Sequence, residues 1–227
     1  MFEDAKVAFF LAKRSIVRGN KGTLSLTILI IGMVFVNLIF LPSIIAGVVV
    51  LFNQQTIDYS YGNLVIEPRE NTLVIGDATK LVQKINRIPG VVASTPRYSA
   101  GATVVYRGKS TTPLLIAIDP ASEPEVLKVH TGIMSGDYLG EGDTGQILIG
   151  DTLAGSRELD VDRTPTLGGV EVGKMVDVTF RNGVTRQFRV KGIVDTGTAG
   201  SDSNAFIVRK DLMDVLGRED EASQILV

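Results

Sequence analysis

The 227-residue chain contains no cysteine and no tryptophan, and its only histidine is His130. Without cysteine it cannot form a disulfide framework, a thiolate nucleophile or a cysteine metal site. One histidine cannot build a histidine-based metal cluster, and a net charge of −2 gives no general attraction to nucleic acid. The sequence therefore predicts a non-enzymatic protein with no catalytic residue, cofactor or metal, and no nucleic-acid partner.

Charge is also missing from one long stretch near the N-terminus. Residues 22–52 carry no charged side chain over 31 positions, whereas about 20 apolar residues suffice to cross the hydrocarbon core of a bilayer. We therefore predict a transmembrane helix over residues 22–52, in which Pro42 removes one backbone hydrogen bond and Asn37 favours a partner helix. A cleaved signal peptide with a weak site at Ala46-Gly47 is the alternative, but the apolar run is twice the usual length.

The charges that flank this segment predict its orientation. Basic residues precede it, and the first charge after it is Asp58. By the positive-inside rule, residues 1–21 lie in the cytoplasm and residues 53–227 lie outside it, anchored to the cell membrane. Residues 2–18 have an amphipathic helical pattern, suited to lying on the inner membrane surface or to contacting a cytoplasmic partner. The basic residues are Lys6, Lys13, Arg14, Arg18 and Lys21.

The remaining sequence predicts an α+β fold. A helix begins after Asp77, which is a candidate N-cap, and a second short helix spans residues 122–129. Residues 107–109 and the Asn-Gly pair at 182–183 predict two β-hairpins, and the Gly-rich residues 131–144 predict a loop. Further strands are predicted at 63–67, 91–98, 146–150, 205–208 and 225–227, and further helices at 151–159 and 211–216.

The order of these elements predicts two lobes. One is a βαβ-type lobe built from residues 60–130 and 204–227, and the other is a β-rich insertion, residues 131–203. Five carboxylates are scattered over a stretch that we expect to be exposed, and they predict a solvated face rather than an ion site or an acid/base pair. They are Glu123, Glu125, Asp137, Glu141 and Asp143.

Two short motifs suggest chemistry but fit poorly. Asp195-Thr-Gly-Thr resembles the aspartic-protease signature, which would need a second carboxylate from a dimer, and too few residues follow it for that fold. Gly108-Lys109-Ser110 resembles the end of a phosphate-binding loop, but Thr103 stands where that motif needs glycine and the site lies between two strands. A strand end and a hairpin tip are the simpler interpretations.

The layout as a whole resembles the MacB-like periplasmic core domain of ABC transporter permeases, which include the macrolide-exporter, lipoprotein-release and FtsX-like groups. The resemblance is carried by a basic leader that runs into the first span and by a strand pair that ends FRVKGIV. It is also carried by two stretches of the outer domain, LLIAIDP and SGDYLGEGDTGQILIGDTLAG. Family members continue into three more membrane helices, so we expect this chain to be a fragment of a longer permease or a single-span relative.

This resemblance implies a mechanical function. A separate cytoplasmic ATPase would touch residues 2–18, and two permease copies would work together as a homo- or heterodimer. The outer domain would grip an exported substrate or engage another envelope protein. Two alternatives stay open: a stand-alone membrane-anchored binding or structural module, and, remotely, a membrane-anchored dimeric aspartic protease that uses Asp195.

Overall fold

The computed structural model describes residues 2–155 and 165–227, with side chains from residue 5 onward. The chain forms two compact units, of which the first ends at Phe52 and the second comprises Asn53–Val227. Helix α1 (Phe2–Arg18) and helix α2 (Lys21–Thr56) account for the first unit, and α2 extends into the second. The side chain of Asn20 accepts a hydrogen bond from the backbone N–H of Gly22 at 3.0 Å, which caps the start of α2.

Helix α2 has no buried residue, although its mean hydropathy reaches 2.7. At 1.5 Å per residue its 36 residues span about 54 Å, which exceeds the hydrocarbon thickness of a bilayer. The helix continues through Pro42, and the Ser43 hydroxyl donates to the carbonyl of Ile39 at 2.8 Å. Within the described residues it is the one helix that is long and apolar enough to cross a membrane.

The second unit is rich in β-structure. Five helices accompany the strands in its described part, together with a π-helical turn (Ile57–Tyr61) and a 3₁₀ turn (Val129–Gly132): α3 (Ala78–Ile85), α4 (Glu123–Val126), α5 (Asp151–Ala154), α6 (Ala199–Asp202) and α7 (Arg209–Leu216). The strands are β1 (Val65–Ile66), β2 (Thr95–Tyr106), β3 (Lys109–Thr111), β4 (Leu114–Ile118), β5 (Ile133–Gly136), β6 (Gln146–Gly150), β7 (Met175–Phe180), β8 (Thr185–Val194), β9 (Ala205–Val208) and β10 (Gln224–Leu226).

Six of these strands close into a ring. The hydrogen-bonded order is β2-β4-β9-β6-β8-β7, and β7 pairs back with β2. Two of the pairings are parallel, β4 with β9 and β6 with β8, and the others are antiparallel. Strand β2 is 12 residues long and also pairs with β10 and β3. We call this ring the barrel.

Side chains alternate between the inside and the outside of the barrel, and both sets are buried. In β4, Leu115 and Ala117 belong to the inner core, whereas Ile116 and Ile118 pack in a second core on the outer surface. Strands β6 and β9 show the same alternation between the inner core and the second core. Strands that are apolar on both faces must be covered on both faces. A third small core lies beneath α3, where Ile85 packs with Ile225.

Most of the predicted elements are confirmed. The α+β class, the N-terminal apolar helix and both hairpins are present, with turns at residues 107–108 and 181–184. The loop predicted over residues 131–144 is wrong in part, because β5 pairs with β8 there. Asp77 does not cap α3 with its side chain. The helix predicted over 151–159 is seen as α5, and residues 156–159 lie outside the described part of the chain.

The barrel takes strands from both predicted lobes. Strands β6, β7 and β8 come from residues 131–203, and they pair with β2 and β9 from the other segment. The hydrogen-bonded sheet therefore runs across the predicted lobe boundaries. The division into lobes stays a prediction, and its residues 156–164 lie outside the described residues.

Candidate functional site at the juxtamembrane segment

Asp195, the residue singled out by the protease-like motif, lies in a hydrogen-bonded turn after β8. Its Oδ1 accepts from the backbone N–H of Gly197 at 3.0 Å. The neighbouring carboxyl is Asp202, which is 6% exposed and accepts from the backbone N–H of Thr196 at 2.8 Å and from its hydroxyl at 2.9 Å. Burial raises the pKa of Asp202; the hydrogen bonds from Thr196 lower it, and the nearby Asp195 raises it further. The motif thus brings two carboxyls together, and Asp202 holds the turn closed.

The other predicted motifs have structural roles. Lys109 and Ser110 belong to β3, on the far side of the hairpin turn from β2, which agrees with a hairpin tip. His130 is half-buried; its Nδ1 lies 3.2 Å from the carbonyl of Leu127, and its ring packs edge-on to Tyr138. Within residues 2–155 and 165–227, no group of three or more histidine and acidic residues could hold a metal ion.

The prediction that the scattered carboxylates form a solvated face is wrong for Glu123, and Asp143 is half-buried. Glu123 is 1% exposed and pairs with Arg97, which is 2% exposed. Asp143 pairs with Lys191, and this hydrogen bond, together with those from Gly140 and Gln146, holds the pKa of Asp143 below its usual value against the effect of burial. Charged residues are rarely buried unless they are paired, and the sequence does not reveal the partners.

The juxtamembrane segment, residues 53–62, is where the chain passes from the apolar helix into the barrel. It ends in the π-helical turn, closed by a hydrogen bond from the N–H of Gly62 to the carbonyl of Ile57 at 3.0 Å. π-helical turns are rare in proteins, and those that occur often lie at functional sites. The last carbonyl groups of a helix have no partner within it, so the end of this segment must find donors elsewhere.

Three consecutive carbonyls of the turn find donors in three different parts of the second unit. The backbone N–H of Lys128 donates to Asp58 O at 2.7 Å, and the hydroxyl of Ser201 donates to Tyr59 O at 3.1 Å. Nη1 of Arg97 donates to Ser60 O at 3.0 Å. We call this set of three contacts the clamp.

An ion pair and two backbone contacts reinforce the clamp. Nζ of Lys128 lies 3.0 Å from Oδ2 of Asp58. The N–H groups of Asn63 and Leu64 both donate to the carbonyl of Val227, at 2.9 and 3.1 Å. The segment is therefore held on both sides of the buried Gly62.

Arg97 joins the clamp to a buried polar network. Its Nε donates to Oε1 of Glu123 at 2.7 Å and its Nη2 binds the same carboxylate. The hydroxyl of Thr95 lies 3.4 Å from Oε2 of Glu123 and 2.8 Å from the hydroxyl of Ser122. Burial raises the pKa of Tyr138, and the negative charge of Glu123 adds to this effect, whereas Arg97 opposes it. The network is compensated in charge, as a buried ion pair must be.

Strand periodicity places Arg97 at the outer surface of the barrel. Tyr98, Ala100, Ala102 and Val104 pack with the inner core, so the odd-numbered positions of β2 face outward. Sequence reasoning missed this site because a charged residue on an outward strand position normally faces water. The signal that could have found it is the pairing of that charge with an acidic residue at the start of a predicted helix.

The chain is similar to a known protein family and to solved structures. A family model described as the MacB-like periplasmic core domain matches residues 23–227. Among solved structures, the extracellular domain of the noncanonic ABC-type transporter YknZ from Gram-positive bacteria has a TM-score of 0.52 at 16% identity, covering 71% of this chain and 79% of that chain. The periplasmic region of MacB from Actinobacillus actinomycetemcomitans gives 0.48 at 18% identity, with 71% of each chain covered.

The search of curated proteins finds no match. The likeness to YknZ concerns the fold alone, because the identity is low. The family match, by contrast, extends over nearly the whole sequence, including the second unit with its barrel and clamp. On that match, the chain belongs to the family of MacB-like periplasmic core domains.

Proposed function

We propose that the chain is a non-catalytic permease component of an ABC-type transporter of the export or mechanotransmission type. Helix α2 anchors it in the cell membrane, the barrel-containing unit lies outside the cytoplasm, and a cytoplasmic ATPase supplies the energy. The observation that carries this proposal is an apolar helix with no buried residue, joined in sequence to a unit that belongs to the MacB-like family.

The charge distribution supports the proposed orientation. The described basic residues of α1 and the start of α2 are exposed and precede the apolar run, and positive charge is retained on the cytoplasmic side of membrane helices. An N-terminus in the cytoplasm leaves the second unit on the opposite side of the membrane.

Helix α1 offers the surface for the ATPase. It displays exposed aromatic residues, Phe9 at 75% and Phe10 at 61%, on the same short helix as Lys13 and Arg14. Aromatic residues and arginine are both enriched in protein interfaces. A second permease copy and an exported substrate or envelope protein complete the proposed assembly.

Co-purification tests the proposal. The full chain, extracted in mild detergent, is expected to retain an ABC ATPase, and deletion of residues 2–18 is expected to reduce the retained ATPase at least about tenfold, which corresponds to about 1.4 kcal/mol. A Lys13→Arg variant, which keeps charge and helix, serves as the matched control. Carbonate extraction checks that each variant remains embedded in the membrane.

Each outcome separates the candidate functions. An ATPase retained equally by the deletion variant would contradict the role of α1. If no ATPase accompanies the full chain, the stand-alone anchored module becomes the better interpretation. Acid-dependent peptide cleavage that is abolished by Asp195→Asn would instead support the remote protease alternative.

A further inference from the structure

The clamp joins the juxtamembrane segment to parts of the second unit that are distant in sequence. Its donors lie on β2, before the 3₁₀ turn and on α6, so no single loop movement could release all three contacts. We infer that Arg97 is the positioning residue that makes the juxtamembrane segment and the barrel move as one body. This inference adds a named residue to the proposed function and rests on it only for its biological purpose.

Arg97 differs from the other two donors in the number of elements that it joins. Its guanidinium bonds the Ser60 carbonyl with one arm and the Glu123 carboxylate with the rest of the fork. A planar guanidinium is suited to such simultaneous contacts, because its donors are fixed relative to one another. One rigid group thus connects the π-helical turn, β2 and α4.

The burial of the ion pair makes this connection difficult to break. Arg97 is 2% exposed and Glu123 is 1% exposed, so water cannot replace either partner without a rearrangement of the surrounding side chains. Separation would leave an uncompensated charge in a low-dielectric environment. A positive group at the end of the helical segment is also favoured by the helix dipole.

Arg97 lies on a strand, β2, that is hydrogen-bonded to four other strands. Strand β2 pairs with β10, β4, β7 and β3, and it closes the barrel through β7. Movement of the Ser60 carbonyl would therefore act on the strand that has the most neighbours in the described sheet. The other two donors belong to smaller elements. Lys128 directly precedes the four-residue 3₁₀ turn, and Ser201 lies on a four-residue helix.

The absence of cysteine makes a direct measurement possible. In the full chain, reconstituted in lipid nanodiscs, Asn53→Cys and Gln187→Cys place two spin labels on exposed positions, one on the juxtamembrane segment and one on β8 of the barrel. Pulsed electron paramagnetic resonance then reports the distribution of distances between the labels. The otherwise wild-type chain is expected to give one narrow distribution.

The informative variant removes both charges. Arg97→Met with Glu123→Leu avoids an unpaired buried charge, and such replacements are often tolerated. We expect the distance distribution to broaden at least twofold, and the amide of Lys128, which donates to Asp58, to exchange its hydrogen about ten times faster. Arg97→Lys keeps the charge opposite Glu123 but lacks the fork, so an intermediate broadening is expected.

A matched control separates a positioning role from general stability. Ile147 is fully buried and belongs to the inner core of the barrel, whereas Arg97 lies on the outward face of β2. We therefore expect Ile147→Ala to destabilise the unit while the clamp stays in place. It is expected to leave the distribution narrow. A distribution that stays narrow in the double variant, or one that broadens equally in Ile147→Ala, would overturn the inference.

Neither measurement needs nucleotide or ATPase. A failure of the inference therefore leaves the co-purification result standing, and a failure to find an ATPase leaves the role of Arg97 standing. If the ATPase does accompany the chain, the double variant is expected to retain ATP hydrolysis while the nucleotide-dependent change in barrel hydrogen exchange is lost.

Discussion

The Oδ1 atom of Asp220 accepts a hydrogen bond from the backbone N–H of Thr79 at 3.0 Å, across 141 positions of sequence. The same carboxylate lies 2.9 Å from Nη2 of Arg209, and the backbone carbonyl of Asp220 accepts from the N–H of Ala78 at 2.9 Å. Asp220 thereby caps α3 from outside, in place of the predicted Asp77, whose backbone is left-handed at φ 50°. The cap fastens α3 to the segment that leads into β10.

We expect Asp220→Ala to lower the free energy of unfolding by about 1–2 kcal/mol, because a helix cap and a partly buried ion pair are lost together. For a unit of this size, each kcal/mol shifts the melting temperature by about 2–4 °C. Asp77→Ala is the matched control: Asp77 and Asp220 both have a left-handed backbone, at φ 50° and 52°, so alanine brings a similar strain at either position. Asp77 otherwise loses only an exposed pair with Lys80, so its melting temperature should fall less. Thermal unfolding of the solubilised full chain at pH 7 checks both, and an equal loss in the control would contradict the assignment.

The contribution of Asp220 is also expected to depend on pH. Burial raises the pKa of this carboxyl, but the hydrogen bonds from Thr79 and Arg209 outweigh burial and hold the pKa below its ordinary value of 3.8. A lowered pKa means that the stabilisation is present above the unfolded value and is lost as pH falls through the folded one. The difference in free energy of unfolding between wild type and Asp220→Ala should therefore narrow below about pH 4. A difference that stays constant down to pH 2 would contradict this expectation.

Asp202 should show the opposite dependence. Burial and the neighbouring Asp195 raise its pKa, so the folded state binds the proton more tightly than the unfolded state. The free energy of unfolding therefore falls as pH rises from the unfolded pKa through the raised folded pKa. Asp202→Asn keeps an oxygen to accept from Thr196 and removes the charge. We expect the variant to gain stability relative to wild type at pH 7, with the gain shrinking as pH falls below the raised pKa of Asp202. Chemical denaturation across pH 3–7 tests this, and a variant that is less stable at every pH would refute it.

Gly150 marks a close approach of two backbones. A Cβ atom added there would lie 2.2 Å from the carbonyl oxygen of Asp202, and backbone atoms cannot swing aside as a side-chain tip can. Gly150→Ala should therefore cost about 1–3 kcal/mol through overpacking. Gly76 is exposed, and a Cβ there would meet nothing within 4 Å, so Gly76→Ala should be neutral or slightly stabilising. Similar melting temperatures for the two variants would show that the backbones at Gly150 and Asp202 are not in close contact.

Single cysteines should reveal the orientation of the chain. In intact cells, a membrane-impermeant maleimide is expected to label Gln187→Cys, which lies on the exposed surface of β8, and to leave Lys6→Cys unlabelled until the cells are opened. The physical reason is the positive charge before α2, which favours the cytoplasmic side. Labelling of Lys6→Cys in sealed cells, with Gln187→Cys protected, would reverse the proposed topology.

Sequence reasoning found the elements whose signal is local. The apolar runs of β4, β6 and β9 predict strands because their residues are apolar on both faces, and the Asn-Gly pair at 182–183 predicts the turn between β7 and β8. The long helix α2 follows from composition alone. Each of these predictions needs only neighbouring residues.

The features that sequence reasoning missed depend on distant partners. Closure of the barrel needs β7 to pair with β2, about 75 residues earlier, and many other pairings would satisfy the same pattern. Burial of Arg97 and Glu123 follows from the docking of the juxtamembrane segment and α4, which no periodicity records. The cap of α3 by Asp220 was missed for the same reason, since a local candidate stood at Asp77.

The closed ring of strands has a mechanical consequence. A strand within a closed ring is bonded on both sides, so one strand cannot slide along its neighbour without disturbing the next pairing around the circle. Close-packed interiors also transmit strain rather than absorb it. A twisting force delivered at Ser60 would therefore turn the whole ring as a solid piece, and surfaces on its opposite side would be displaced with little loss of amplitude.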